Sequence, residues 1–192
     1  MAEKEKVLDP ISVVKRLIEL VDRRDDSGIH NLESETTVSV IVTNNSLLSE
    51  LCVIMYGLRK LMSKTHISGT PEWRLANTTI LKKLNSLLTI DMSKDLEKTK
   101  FQITLIDIEK IITDTDTQLG HYVTHIIDDG RVKLASDAYA YGLSASQASD
   151  LFKANREQLM SFIGVTKMPD EDIKYKSIKE RVNLLDIVSK SK

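Results

Sequence analysis

The chain has 192 residues, 41% of them hydrophobic, 29% charged and 5% aromatic, with 7 Gly, 3 Pro and one cysteine. These proportions exclude collagen-like, low-complexity and disulfide-stapled classes, and the scarcity of turn formers favours long helices over many short strands. The 27 basic and 28 acidic residues leave a formal net charge of −1, so no global field draws the molecule to nucleic acid or to an anionic membrane.

The first six residues, Met-Ala-Glu-Lys-Glu-Lys, carry mixed charge and lack the apolar stretch of a secretory signal. No run approaches the roughly 20 apolar residues of a membrane helix. The expectation is a cytoplasmic protein, or one of the virion or host cytoplasm if viral, with no membrane partner. Asp9-Pro10 then supplies an N-cap and a proline at the first helical position. Ile11, Val14, Ile18 and Val21 follow at spacings of three and four, giving one apolar stripe to about Arg24. A polar stretch from Asp25 to Glu35 breaks the pattern.

From Thr36 to Thr43 the valines Val38, Val40 and Val42 fall at every second position, the period of a strand. The same β-branched run reads equally as the first turns of a longer helix. A helix is expected from Asn45 or Ser46, with Leu47, Leu51, Ile54, Leu58 and Leu61 on a four-three rhythm and Leu48, Met55 and Met62 widening the face. So broad a stripe suits the centre of a bundle. Cys52, between Leu51 and Val53, fits a small buried hydrophobe.

A loop from Ser63 to Gly69 precedes a second cap-plus-proline start at Thr70-Pro71, behind which Ile80, Leu81, Leu84, Leu87 and Leu88 form the next stripe. Residues between Ile90 and Lys100 read as a boundary or exposed linker. Phe101, Ile103 and Leu105 alternate with polar residues and could pair as a second strand with Thr36–Thr43. Helical spacing returns at Ile108, Ile111 and Ile112 and continues to Ile126 and Ile127, with Gly130 placed as a left-handed terminator. A helix from about Ser146 to Gly164 and a last one beyond Asp170, with Ile178, Val182, Leu185 and Val188 on one face, complete the chain.

The fold class expected is mostly α, a multi-helix bundle with at most one short two-stranded β element at Thr36–Thr43 and Phe101–Leu105. Residues 1–95 form an N-terminal bundle region and 96–192 a C-terminal helical region, the sharing of one core being left open.

Chemistry-bearing patterns are few. His121 and His125 are four apart, a spacing that could supply two metal ligands, but Tyr122 stands where a zinc peptidase carries its glutamate and no third ligand is marked. Asp114-Thr-Asp116 starts like a calcium loop and fails at Leu119 and His125, so Asp114 or Thr115 reads better as a helix cap. No phosphate loop, dinucleotide fingerprint or nucleophile elbow occurs, and neither a cofactor nor an enzyme is expected.

Leu134 to Lys153 outlines two short helices around Gly142, with Ala138, Leu143, Ala148 and Leu151 at the apolar positions of a helix-turn-helix. In that reading Ser144, Ser146, Gln147 and Ser149 lie at the start of the second helix, where base edges are met. Arg131, Lys133, Lys153 and Arg156 would meet the phosphates of duplex DNA. Against it, Asp137 and Asp150 would be repelled by the backbone, and residues 131–167 hold only five basic against three acidic residues. A plain helical hairpin explains the same residues. The primary expectation is therefore a non-enzymatic protein that works through protein contacts, such as an assembly subunit, adaptor or scaffold of a kind found in viruses and phages. It would oligomerise through Leu47, Leu51, Ile54, Leu58 and Leu61 and through Ile178, Val182, Leu185 and Val188, unless both stripes are simply the core of one bundle, which explains them equally well. Duplex DNA binding through residues 134–156 is the alternative.

Overall fold

The computed structural model of the protein describes residues 7–118 and 125–166. These form a multi-helix bundle of α1 (Pro10–Asp22), α2 (Asp26–Thr43), α3 (Ser46–Met62), α4 (Thr65–Ser68), α5 (Pro71–Leu87), α6 (Asp95–Gln118), α7 (Ile126–Ala140), α8 (Ala145–Phe152) and α9 (Arg156–Thr166). The starts follow local chemistry. Asp9 accepts from the Ser12 N–H at 3.0 Å, Asn45 from Leu47 and Leu48 at 2.9 and 3.3 Å, and Thr70 from Trp73 at 3.1 Å, each satisfying N–H groups that the first helical turn leaves without partners.

The central helix is α3, which packs against α1, α2, α6, α7 and α8. It is buried almost all round: Leu48, Leu51, Cys52, Val53, Ile54, Met55, Leu58 and Leu61 are fully enclosed. Helices from both halves of the chain meet on it, and one buried cluster runs from Val13 in α1 to Ile163 in α9. Glycines set two of its closest approaches. Gly57 faces α6, where a Cβ would stand 3.0 Å from Ile112, and Gly130 of α7 sits against the Tyr56 ring.

Several expectations are corrected. No strand occurs among the described residues: Thr36–Thr43 is the second half of α2 and Phe101–Leu105 belongs to α6. In α2 the threonine hydroxyls donate back to carbonyls four residues earlier, Thr36 to Leu32 at 2.7 Å and Thr37 to Glu33 at 2.8 Å, while Ile29, Leu32 and Val40 fill the core. Burial overrides the weak strand preference of β-branched residues, and the bonds give the buried hydroxyls their partners. The polar stretch from Asp25 does not interrupt the helices for long, because Asp25 caps α2 by accepting from the Gly28 N–H at 2.8 Å. In α6 the core side is Phe101, Leu105, Ile108 and Ile112, a helical stripe, and Ile103 breaks it only because it lies on the opposite face.

Smaller differences follow the same logic. The Ser63–Gly69 loop holds the short α4, and α6 begins at Asp95, inside the segment read as a linker. Asp114 and Thr115 lie within α6 and cap nothing. The helix expected from Ser146 to Gly164 is two, divided at Lys153, whose backbone is left-handed at φ 52. Gly130 does not end a helix. It lies inside α7, where a Cβ would come 2.7 Å from Tyr56 Cδ1.

Gly130→Ala should therefore behave against its helix propensity. In a free helix the change gains about 1 kcal/mol, whereas forcing a methyl against a ring held at its root costs about 1–3 kcal/mol. Urea denaturation should show a net loss on the order of 1 kcal/mol. A rise in stability would mean that Tyr56 swings clear.

Candidate functional site

The α7–α8 hairpin exists as a unit. Gly142, at φ 108, makes the turn, and Leu143 and Gly142 donate back to Ala138 and Tyr139 at 3.3 and 2.9 Å. Ala135, Ala138 and Ala148 are buried, small enough for the two helices to close on each other and on α3. Ser144 and Gln147 form a reciprocal capping box, the Gln147 N–H donating to Ser144 Oγ at 3.2 Å and the Ser144 N–H to Gln147 Oε1 at 3.0 Å.

Three of the four basic residues assigned to phosphate contacts are engaged within the chain. Arg131 turns inward and bridges three elements: Nη2 donates to Glu50 Oε2 of α3 at 2.9 Å and to both oxygens of Glu109 of α6 at 3.0 and 2.9 Å, and Nη1 donates to the Phe152 carbonyl of α8 at 3.2 Å. Lys153 donates to Glu50 Oε1. Lys133 is paired along its own helix with Asp137 at 2.5 Å. Ser149 is buried, whereas Ser144, Ser146, Gln147, Asp150 and Arg156 are exposed.

The network of Glu50, Glu109, Arg131 and Lys153 was not visible in the sequence. Burial by itself would raise the Glu50 carboxyl, but hydrogen bonds from Glu109 and Lys153 and the Arg131 charge outweigh it and hold Glu50 well below the usual range. Glu109 is pushed the other way by burial and by the neighbouring Glu50 charge, against the pull of Arg131. Two carboxylates driven apart resemble an acid–base pair. Here, however, each of the four oxygens accepts a bond from Arg131 or Lys153, which makes the group a structural tie. A shallow polar cleft of about 340 Å³ lies over it, lined by Asp128, Arg131, Lys153, Ala154, Asn155 and Gln158. Its cations are neutralised from behind by Glu50 and Glu109, so it offers little to an anion.

His125 is exposed with a left-handed backbone, φ 69, and its Nδ1 lies 3.5 Å from Asp128. His121 lies outside the described residues. Among the described residues no three His, Cys, Asp or Glu side chains stand close enough to hold a metal. Cys52 is enclosed, and burial pushes its thiol far up, away from a reactive thiolate.

The stripe expected to associate is not exposed. Leu51, Ile54, Leu58 and Leu61 are fully buried in the bundle and Leu47 is half-buried against it, so that stripe presents no seam to a partner. Ile178, Val182, Leu185 and Val188 lie outside the described residues. The exposed apolar stripe is instead on α6, where Leu96, Ile103 and Ile106 are 69%, 54% and 52% accessible on the side away from the core. The alternation at Phe101–Leu105 was its sequence signal. No helix among the described residues is long and apolar enough to cross a membrane. Comparison with protein-family models, curated proteins and solved structures finds no match for the chain.

Proposed function

We propose that the protein works through protein–protein contacts, as an assembly subunit, adaptor or scaffold, and not as an enzyme. The observation that supports this is the two-faced α6. One face, Phe101, Leu105, Ile108 and Ile112, belongs to the core, and the opposite face repeats apolar residues at Leu96, Ile103 and Ile106 with heptad spacing. A contiguous exposed apolar patch on a polar surface is the usual mark of an interaction site. The test is Ile103→Asp combined with Ile106→Asp in the full chain, followed by sedimentation and by affinity capture from the source lysate. Complexes formed by the wild type should be lost in the variant. Complexes that persist unchanged, or a wild type that forms none, would reject the reading.

The helix-turn-helix alternative keeps its outline in the α7–α8 hairpin, with Ser146 and Gln147 exposed on α8. Its electrostatics are poor. Arg131, Lys133 and Lys153 are engaged by Glu109, Asp137 and Glu50, and Asp150 is exposed where phosphates would approach. Titration with duplex DNA at two salt concentrations decides it, since absence of binding at low salt removes DNA from consideration.

A further inference from the structure

We infer that the partner on the outer face of α6 is a second copy of this chain, the two α6 helices packing antiparallel with Ile103 of each copy against Ile106 of the other. The inference rests on the protein-contact reading above. It begins with the order of residues along the outer face: Leu96, Thr99, Ile103, Ile106, Lys110 and Thr113, at alternating spacings of three and four. The two isoleucines sit at the middle of this series. A two-fold axis between them brings each Ile103 onto an Ile106, each Thr99 opposite a Lys110 and each Leu96 opposite a Thr113, the self-complementary arrangement a symmetric dimer requires.

Charge selects the same arrangement. Lys100 and Asp107 flank one edge of the stripe, seven residues apart, and both side chains remain about half exposed, at 56% and 50%. Antiparallel pairing sets Lys100 of each copy opposite Asp107 of the other, so the favourable contact occurs twice. Parallel pairing would place the two Lys110 ammonium groups against each other in the seam. Lys100 and Asp107 also make pairs within the chain, to Glu97 at 2.5 Å and to Lys83 at 2.8 Å. Such exposed pairs are weak and exchange readily.

The experiment uses the full chain in sedimentation over micromolar to millimolar concentration, with circular dichroism to confirm that each variant is folded. Wild type should show a reversible monomer–dimer equilibrium, and Ile103→Asp should remain monomeric. Lys100→Asp should weaken the dimer roughly tenfold, because it sets like charges opposite each other at two symmetric places, and adding Asp107→Lys should restore it. A wild type monomeric at every concentration overturns self-pairing, as does a double variant as weak as Lys100→Asp alone. A monomer that still captures another protein in an Ile103-dependent way sinks self-pairing and keeps the protein-contact reading. A monomer without such capture sinks both.

Discussion

Replacing Arg131 by methionine is expected to destabilise the fold by up to about 3–5 kcal/mol, because it takes the cation from the buried Glu109 and leaves Glu50 with Lys153 alone. Arg131 joins α3, α6 and α8 through Glu50, Glu109 and the Phe152 carbonyl. Methionine conserves much of the aliphatic stem, so the loss reports the guanidinium. Arg131→Lys should recover only part of it, since one ammonium group cannot reproduce the planar fork that reaches two carboxylates and a carbonyl.

The pH dependence identifies the cause. In the wild type Glu50 is held down to about 2 against burial, by Glu109 and Lys153 as well as by Arg131, whereas burial and the Glu50 charge already push Glu109 up to about 8 against the pull of Arg131. A raised folded value contributes stability that is present below about 4.5 and is lost as the pH climbs through the folded value. A lowered folded value contributes stability that is present above about 4.5 and is lost as the pH falls through the folded value. The gap between Arg131→Met and wild type should therefore narrow as the pH falls from about 4.5 toward 2 and widen above about 8, as read by urea midpoints. A gap independent of pH would assign the loss to packing of the arginine stem instead.

What could be read from the sequence was what is decided locally. Asp9-Pro10, Asn45 and Thr70-Pro71 mark helix starts because an N-cap acts within three residues of itself. The α7–α8 hairpin was legible for the same reason, through Gly142 and small residues close in sequence. Thr36–Thr43 misled because its propensity opposes helix and only burial against distant helices, chiefly α3, reverses it. Ile103 misled because a helix apolar on two faces imitates alternation. Gly130 looked like a terminator although its role is to admit Tyr56, 74 positions earlier in the chain. The ionic tie was the least visible. Glu50 and Arg131 are 81 residues apart, and the only local hint was a carboxylate set in a helix apolar all round. Arg131 and Lys153, read as phosphate contacts of the hairpin, both reach Glu50 instead.

Glu33 of α2 holds the second buried ionic pair, and raising the pH through neutrality is expected to cost the fold about 3 kcal/mol there. Its carboxyl is nearly enclosed, and among the described residues its one ion pair with a permanent cation is a loose contact from Arg59 Nη2 of α3, at 3.4 Å. Glu33 Oε2 and Arg59 Nε are both buried without a hydrogen-bond partner. Burial pushes the carboxyl up to about 7, over the attraction of Arg59, with Asp137 of α7 adding to the rise and Lys133 opposing it; His30 lies 3.9 Å away on α2. The folded value exceeds the ordinary value of 4.5, so the fold holds this proton longer than the unfolded chain does. Stability from Glu33 is thus complete below about pH 4.5 and falls away as the pH rises to about 7, levelling beyond it. Glu33→Gln keeps the shape of the protonated group and cannot ionise. It should match wild type near pH 4.5 and exceed it by about 3 kcal/mol above neutrality, measured by urea unfolding at each pH. Parallel pH profiles for the two proteins would mean that Arg59 closes on the carboxylate and satisfies both orphan atoms, so that the ionised pair is held as well as the neutral one.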